Sequence, residues 1–167
     1  MTVGEVLEET LVSDEGKEIY KSALNLLARR EHTELELRKK YLKRGFKRAD
    51  IDPVIEQLKA GGQLSLERFL DDFLHNRLQR NVGPLKITSD LRSRGVTESE
   101  IEEALDKTDP DWVSMAKRAL KKRRLLHGKN GFIEPKSIDE WRTAHRVLRN
   151  QGYTDWIILN LLGHPPY

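Results

Sequence analysis

The chain has 167 residues, of which 34% are charged and 37% hydrophobic, and its formal net charge is +3. It contains no cysteine, which excludes a disulfide framework and thiolate metal sites. No apolar run is long enough to cross a membrane and no basic-then-apolar leader opens the chain, so a cytoplasmic location without membrane contact is expected.

Residues 1–13 are acidic and weakly patterned and read as a tail without regular structure. Ser13 followed by Asp14 and Glu15 starts a helix: the hydroxyl caps free amides and acids suit the positive end of the dipole. Tyr20, Ala23, Leu24 and Leu27 then form one apolar stripe. Thr33 with Glu36 is a capping box for the next helix, which carries Leu37 and Tyr41 and stops at Gly45. Ile51, Val54, Ile55 and Leu58 make a third stripe, with Pro53 placed to kink it, and Gly61-Gly62 breaks the chain. Ser65 starts a helix carrying Phe69, Leu70, Phe73, Leu74 and Leu78, which Gly83-Pro84 ends. Ile87 and Leu91 lead to Gly95, and Thr97 with Glu100 caps a helix holding Ile101, Ala104 and Leu105. Asp109-Pro110 reads as the start of a helix with Trp112, Ala116, Ala119 and Leu120 inward and basic residues running to Arg124. A glycine- and proline-containing loop from His127 to Lys136 follows. Ser137 with Glu140 forms a further capping box, Trp141, Ala144 and Leu148 lead to Gly152, and Thr154 opens a last helix with Ile158, Leu161 and Leu162. No segment alternates with period two, so no strand is expected.

The elements repeat. Tyr41, Leu91 and Leu148 stand four residues before Gly45, Gly95 and Gly152; Phe46, Val96 and Tyr153 stand one after, and Ile51, Ile101 and Ile158 six after. A helical repeat of this length implies units that share a core with their neighbours. The expected fold is all-α: an elongated, curved array of three tandem three-helix repeats. The units are placed at 14–62, 63–108 and 109–167, after the tail 1–13.

Catalysis finds little support in the residues. The five histidines are scattered, no HExxH or phosphate-binding loop occurs, and Asp71-Asp72 are helical neighbours that do not face one place. The charge is uneven instead. Residues 23–58 carry nine bases against six acids, 59–110 eight against ten, and 111–167 eleven against five. Candidate binding residues are Lys117, Arg118, Lys121, Lys122, Arg123 and Arg124 on one helix and Arg142, Arg146 and Arg149 on the next. Arg29, Arg30, Arg38, Lys39, Lys43 and Arg44 form a set in the first unit. Such lines of cations are either a solvated face or the seat of an anion, which could be a phosphate backbone or an acidic protein surface. Tyr41, Phe46 and Tyr153 fall at repeat core positions, so packing is their expected role rather than base stacking.

The stretches HTELELRKKYLKRGF, GQLSLERFLDDFLHNRLQRNVGPLKITSDLRSRGVTESEIEEAL and VLRNQGYTDWIILNLL resemble the RecX recombination-regulator family, over about residues 23–162. Two departures from the family pattern, Lys47 in place of a capping threonine and Ser65 in place of an acid, both touch helix starts. The resemblance implies a non-enzymatic regulator without cofactor or metal. It implies a monomer that lies in the groove of the RecA filament on single-stranded DNA, with weaker contact to double-stranded DNA. By the same resemblance it would restrain strand exchange and the coupled ATPase, and so modulate recombination, repair and the SOS response. Two other classes are consistent with helices and cations alone: a helical-repeat DNA-binding protein that acts independently of RecA, and a repeat that binds only protein.

Overall fold

The computed structural model describes residues 13–123, 125, 135 and 137–166. Among them are nine helices and no strand: α1 (Asp14–Leu27), α2 (Glu34–Lys43), α3 (Arg48–Ala60), α4 (Leu66–Gln79), α5 (Pro84–Ser93), α6 (Glu98–Thr108), α7 (Trp112–Lys122), α8 (Ile138–Gln151) and α9 (Asp155–Leu162). The all-helical expectation holds. The tail 1–12 and, apart from Pro135, the loop from His127 to Lys136 lie outside the described residues.

Helix starts follow the caps. The hydroxyls of Ser13, Thr33, Thr97, Ser137 and Thr154 accept from the backbone three residues on. Thr33–Glu36 and Thr97–Glu100 close both halves of the capping box. Two boundaries differ from the sequence reading. Asp109 does not open α7; it ends α6 in a left-handed conformation at φ 42°, which the short polar Asp side chain tolerates, and Asp111 caps α7. α7 stops at Lys122 with Arg123 as its C-cap, so the basic run to Arg124 is not one helix. Pro53 sits inside an unbroken α3.

Two compact units divide the chain. One comprises residues up to Asp72 together with Arg94–Val96; the other comprises Phe73–Ser93 and everything from Thr97.

In the first unit, α3 packs against both α1 and α2. Its core holds Ile19, Tyr20, Ala23, Leu37, Tyr41, Ile51, Val54, Ile55 and Leu58. Burying each large apolar side chain contributes about 1.5–3 kcal/mol, against about 1 kcal/mol for a cap. That difference explains why α3 forms although Lys47 makes no side-chain cap. Lys47→Thr, which restores the residue found at 97 and 154, is expected to stabilise the protein by ~0.5–1 kcal/mol in a urea melt.

In the second unit, α7, α8 and α9 enclose Met115, Ala116, Ala119, Leu120, Ala144, Leu148, Tyr153, Ile157, Ile158 and Leu162, with Leu78 of α4 against them. The Trp141 indole N–H donates to the Gly163 carbonyl at 3.1 Å. Trp156 departs from this inward stripe and is 70% exposed.

Each unit contains one joint of the same kind, in which a linker before a helix settles on a glycine turn far along the chain. In the first unit, the Thr33 hydroxyl donates to the Arg94 carbonyl at 2.7 Å, and Leu35 lies so close to Gly95 that a Cβ there would stand 2.9 Å from it. In the second, Gly83 N–H donates to Gln151 O at 2.8 Å and Leu85 N–H to Gly152 O at 2.9 Å. The Tyr153 hydroxyl donates back to Asn81 O at 2.9 Å, and burial pushes its pKa up, so it stays a donor across the working pH range. Thr33 and Gly83 are fifty residues apart, as are Leu35 and Leu85, so the joints are copies of one another.

Candidate functional site

The cations of the first unit divide by what they touch. Arg38 is held by Glu34, at 2.7 Å, and by Asp52. Arg30 pairs with Glu36 at 3.1 Å. Arg44 lies over the Tyr41 ring and donates to the Ser22 hydroxyl at 3.0 Å. Arg29, Lys39 and Lys43 are exposed, and among the described residues no ion pair engages them. The same holds for Lys47 and Arg48, which flank the start of α3.

In the second unit, Arg118 donates to the Asn81 side chain at 3.2 Å. Arg149 pairs with Asp155 at 3.3 Å, and His145 meets the same carboxylate at 3.4 Å while stacking on Trp141. Among the described residues Arg142 has as its ion pair only a loose contact of 3.8 Å with Asp139. Lys121, Lys122, Arg123 and Arg146 are exposed without an ion pair among the described residues, and Lys117 is half-buried. Arg124 lies outside the described residues. The available cations are therefore the end of α7, with Arg146 on α8, and in the first unit the end of α2 and start of α3.

Sequence reading passes over Lys47 and Arg48, although both stand in the LKRGFKR stretch. It also passes over Glu36 as anything beyond a cap. The Glu36 carboxylate is 16% exposed and receives Arg30, the Thr33 N–H and, from fifty-eight residues away, Arg94. Burial alone would raise its pKa. The hydrogen bonds from Arg30 and Thr33, with the charges of Arg30 and Arg94, outweigh burial and hold it below the usual carboxylate range. His32 is buried beside it with Nδ1 at 2.9 Å from Arg30 O, and desolvation keeps its pKa below the ordinary histidine value.

Among the described residues no group of His, Asp or Glu could hold a metal ion, and no helix is long and apolar enough to cross a membrane.

Two family models match the chain: the first three-helix domain of RecX over residues 20–58 and the second over residues 67–105. A Regulatory protein RecX from Halorhodospira halophila is 43% identical over 133 residues, covering 80% of this chain and 79% of that protein. The chain belongs to the RecX family. A second RecX protein, from Pseudomonas savastanoi pv. phaseolicola, is 36% identical and covers 86% of this chain and 88% of its own. Two RecX crystal structures share the fold. One has a TM-score of 0.72 at 20% identity, over 89% of this chain and 73% of that one. The other, from Lactobacillus salivarius, has a TM-score of 0.67 at 18% identity, over 89% and 94%. RecX membership makes this a regulatory protein built from tandem three-helix domains, in a family not known for enzymatic activity.

Proposed function

We propose that this protein regulates the RecA recombinase by binding the RecA filament on single-stranded DNA in its helical groove and inhibiting strand exchange and the coupled ATPase. The observation that carries the reading is kinship with regulatory RecX proteins along most of the chain. The exposed cations at the ends of α2 and α7 support it, because a polyanionic filament is recognised by unpaired Lys and Arg. The three repeats at 14–62, 63–108 and 109–167 would lie along the groove as a monomer, in the cytoplasm where the filament forms. No bond is made or broken. The protein acts only by binding one state of the filament better than another.

The test is RecA ATPase on single-stranded DNA with this protein added well below one copy per RecA. Inhibition at such ratios is expected, since one bound molecule blocks a polymer. Inhibition only when the DNA itself is saturated would favour a DNA-binding repeat independent of RecA. Reversing Lys121, Lys122 and Arg123 to Glu is expected to weaken single-stranded DNA binding at least ~10-fold. The salt dependence should flatten by about 0.7 in log–log slope for each phosphate that the variant no longer neutralises. An unchanged slope removes this face from the interface.

A further inference from the structure

The three glycine turns have the same backbone and different surroundings. Gly45, Gly95 and Gly152 sit at φ 93°, 85° and 94°. Phe46 N–H returns to Tyr41 O at 3.2 Å, as Tyr153 N–H returns to Leu148 O at 3.1 Å. Around Gly95 and Gly152 a linker is seated, and the turn's carbonyls accept its hydrogen bonds: Arg94 O from Thr33, Gln151 O from Gly83, Gly152 O from Leu85. Around Gly45 none of the described residues stands within 4 Å of where a Cβ would be. Among the described residues no other segment hydrogen-bonds to the carbonyls of Arg44 and Gly45, which are the counterparts of those acceptors.

The side chains of this open turn have changed in one direction. In the second and third turns an ion pair brackets the glycine: Arg92–Glu98 at 2.6 Å and Arg149–Asp155 at 3.3 Å. The corresponding residues of the first turn are Leu42 and Arg48, and a threonine cap has become Lys47. Residues 42–48 thus carry Lys43, Arg44, Lys47 and Arg48 with no acid, whereas 149–155 carry one base and one acid. A terminal repeat needs a polar outer face for solubility, but that need is met by mixed charge. It does not call for cations of one sign, nor for Leu42 left 40% exposed among them.

We propose that the Gly45 turn is a docking site for an extended acidic segment of a partner protein. The segment takes the place that the chain's own linkers take on the other two turns. Its backbone N–H groups meet the Arg44 and Gly45 carbonyls, its carboxylates meet Lys43, Lys47 and Arg48, and an apolar side chain covers Leu42. A peptide fits this surface better than a phosphate backbone does. Phosphates bring no donor, so they leave the outward carbonyls unmet and contribute nothing to Leu42. The proposal does not depend on which partner the protein regulates.

The test uses the full chain and a variant that writes the other turns into the first, Leu42→Arg with Lys47→Thr and Arg48→Glu. This variant gains a bracketing ion pair and a cap, so it is expected to unfold in urea no earlier than the wild type. The probe is a fluorescein-labelled peptide alternating Glu and Leu, read by anisotropy at low salt. Its controls are the peptide with Gln for Glu and an oligothymidylate of equal length. The wild type is expected to bind the Glu peptide roughly tenfold more tightly than the variant does and than it binds the Gln peptide, as loss of charge complementarity implies. Equal binding by wild type and variant overturns the proposal. So does oligothymidylate being the only probe whose affinity the variant lowers, which gives the turn to nucleic acid. Peptide binding that appears only after residues 1–12 are deleted assigns the turn to this chain's own acidic start. Wild-type self-association that the variant abolishes assigns it to a second copy.

Discussion

Gly152→Ala is expected to destabilise the protein by ~3–5 kcal/mol, whereas Gly45→Ala, at the same place in the first repeat, should cost only ~1–2 kcal/mol. Both residues have a positive φ, so both variants carry the left-handed penalty of about 1–2 kcal/mol that a Cβ brings. Only Gly152 adds a collision. A Cβ there would lie 2.5 Å from the Lys86 Cβ and 2.8 Å from its backbone nitrogen. Those atoms belong to α5, which cannot retreat without breaking the bonds from Gly83 and Leu85 to the turn. Each of those bonds is worth about 0.5–1.5 kcal/mol. Gly83→Ala is expected to cost ~2–4 kcal/mol for the mirror-image reason, although its φ is ordinary. Its Cβ would stand 2.4 Å from the Gly152 carbonyl and 2.5 Å from Tyr153 N, all backbone. Urea melts of the three variants decide it. Matching losses at Gly45 and Gly152 would mean that the joint bears no weight and that only backbone conformation matters.

That contrast marks the division between what the sequence reveals and what it hides. The glycine period and the inward faces of the helices are local patterns that repeat three times, so chance agreement is small; the Thr and Ser caps are local too, although Lys47 breaks their series. Tyr41, Leu91 and Leu148 align on spacing alone, and all three are completely buried. The two boundary errors are local as well. Asp-Pro at 109–110 looks like a cap followed by a first-turn proline, but Asp111 two residues later offers the same cap, and Asp109 is one of the few side chains that tolerates the left-handed stop. The joints are different in kind. Gly83 meets Gly152 and Thr33 meets Arg94 across intervals with no period, and a glycine before a proline reads simply as a helix breaker. Charge is equally illegible at a distance. Arg118 and Arg146 look alike in sequence, yet Arg118 is turned to Asn81 and Arg146 is free of ion pairs among the described residues. The open cations can be told from the engaged ones only in three dimensions, which is why sequence alone misses Lys47 and Arg48 and includes Arg30 and Arg38.

Glu36→Gln is expected to lower stability by ~2–3 kcal/mol near neutral pH, and to do so mostly through its charge. The carboxylate joins the capping box of α2 to the Arg94 side chain of the distant turn, and only 16% of its side chain meets solvent. An amide can keep the bond from Thr33 N–H, but it leaves the guanidinium groups of Arg30 and Arg94 facing a neutral group in a half-buried place. The cost falls mainly on Arg94, whose side chain is 31% exposed and loses this compensating charge, whereas Arg30, 56% exposed, can turn to water. The pH dependence separates charge from shape. The folded pKa of Glu36 is depressed below 4.5, so the stability it adds is present above that value and is lost as pH falls through the folded pKa. Wild type and variant should therefore differ most at about pH 7 and converge in strong acid, with the wild-type urea midpoint moving and that of the variant moving less. A gap that stayed constant down to about pH 2 would place the effect in packing around the side chain and not in its charge. His32, whose protonation is opposed in the folded state, adds its own loss as pH falls below about 6.5. The Glu36 charge itself raises the His32 pKa, so this loss is larger in the variant, and the comparison that isolates Glu36 carries His32→Asn in both proteins.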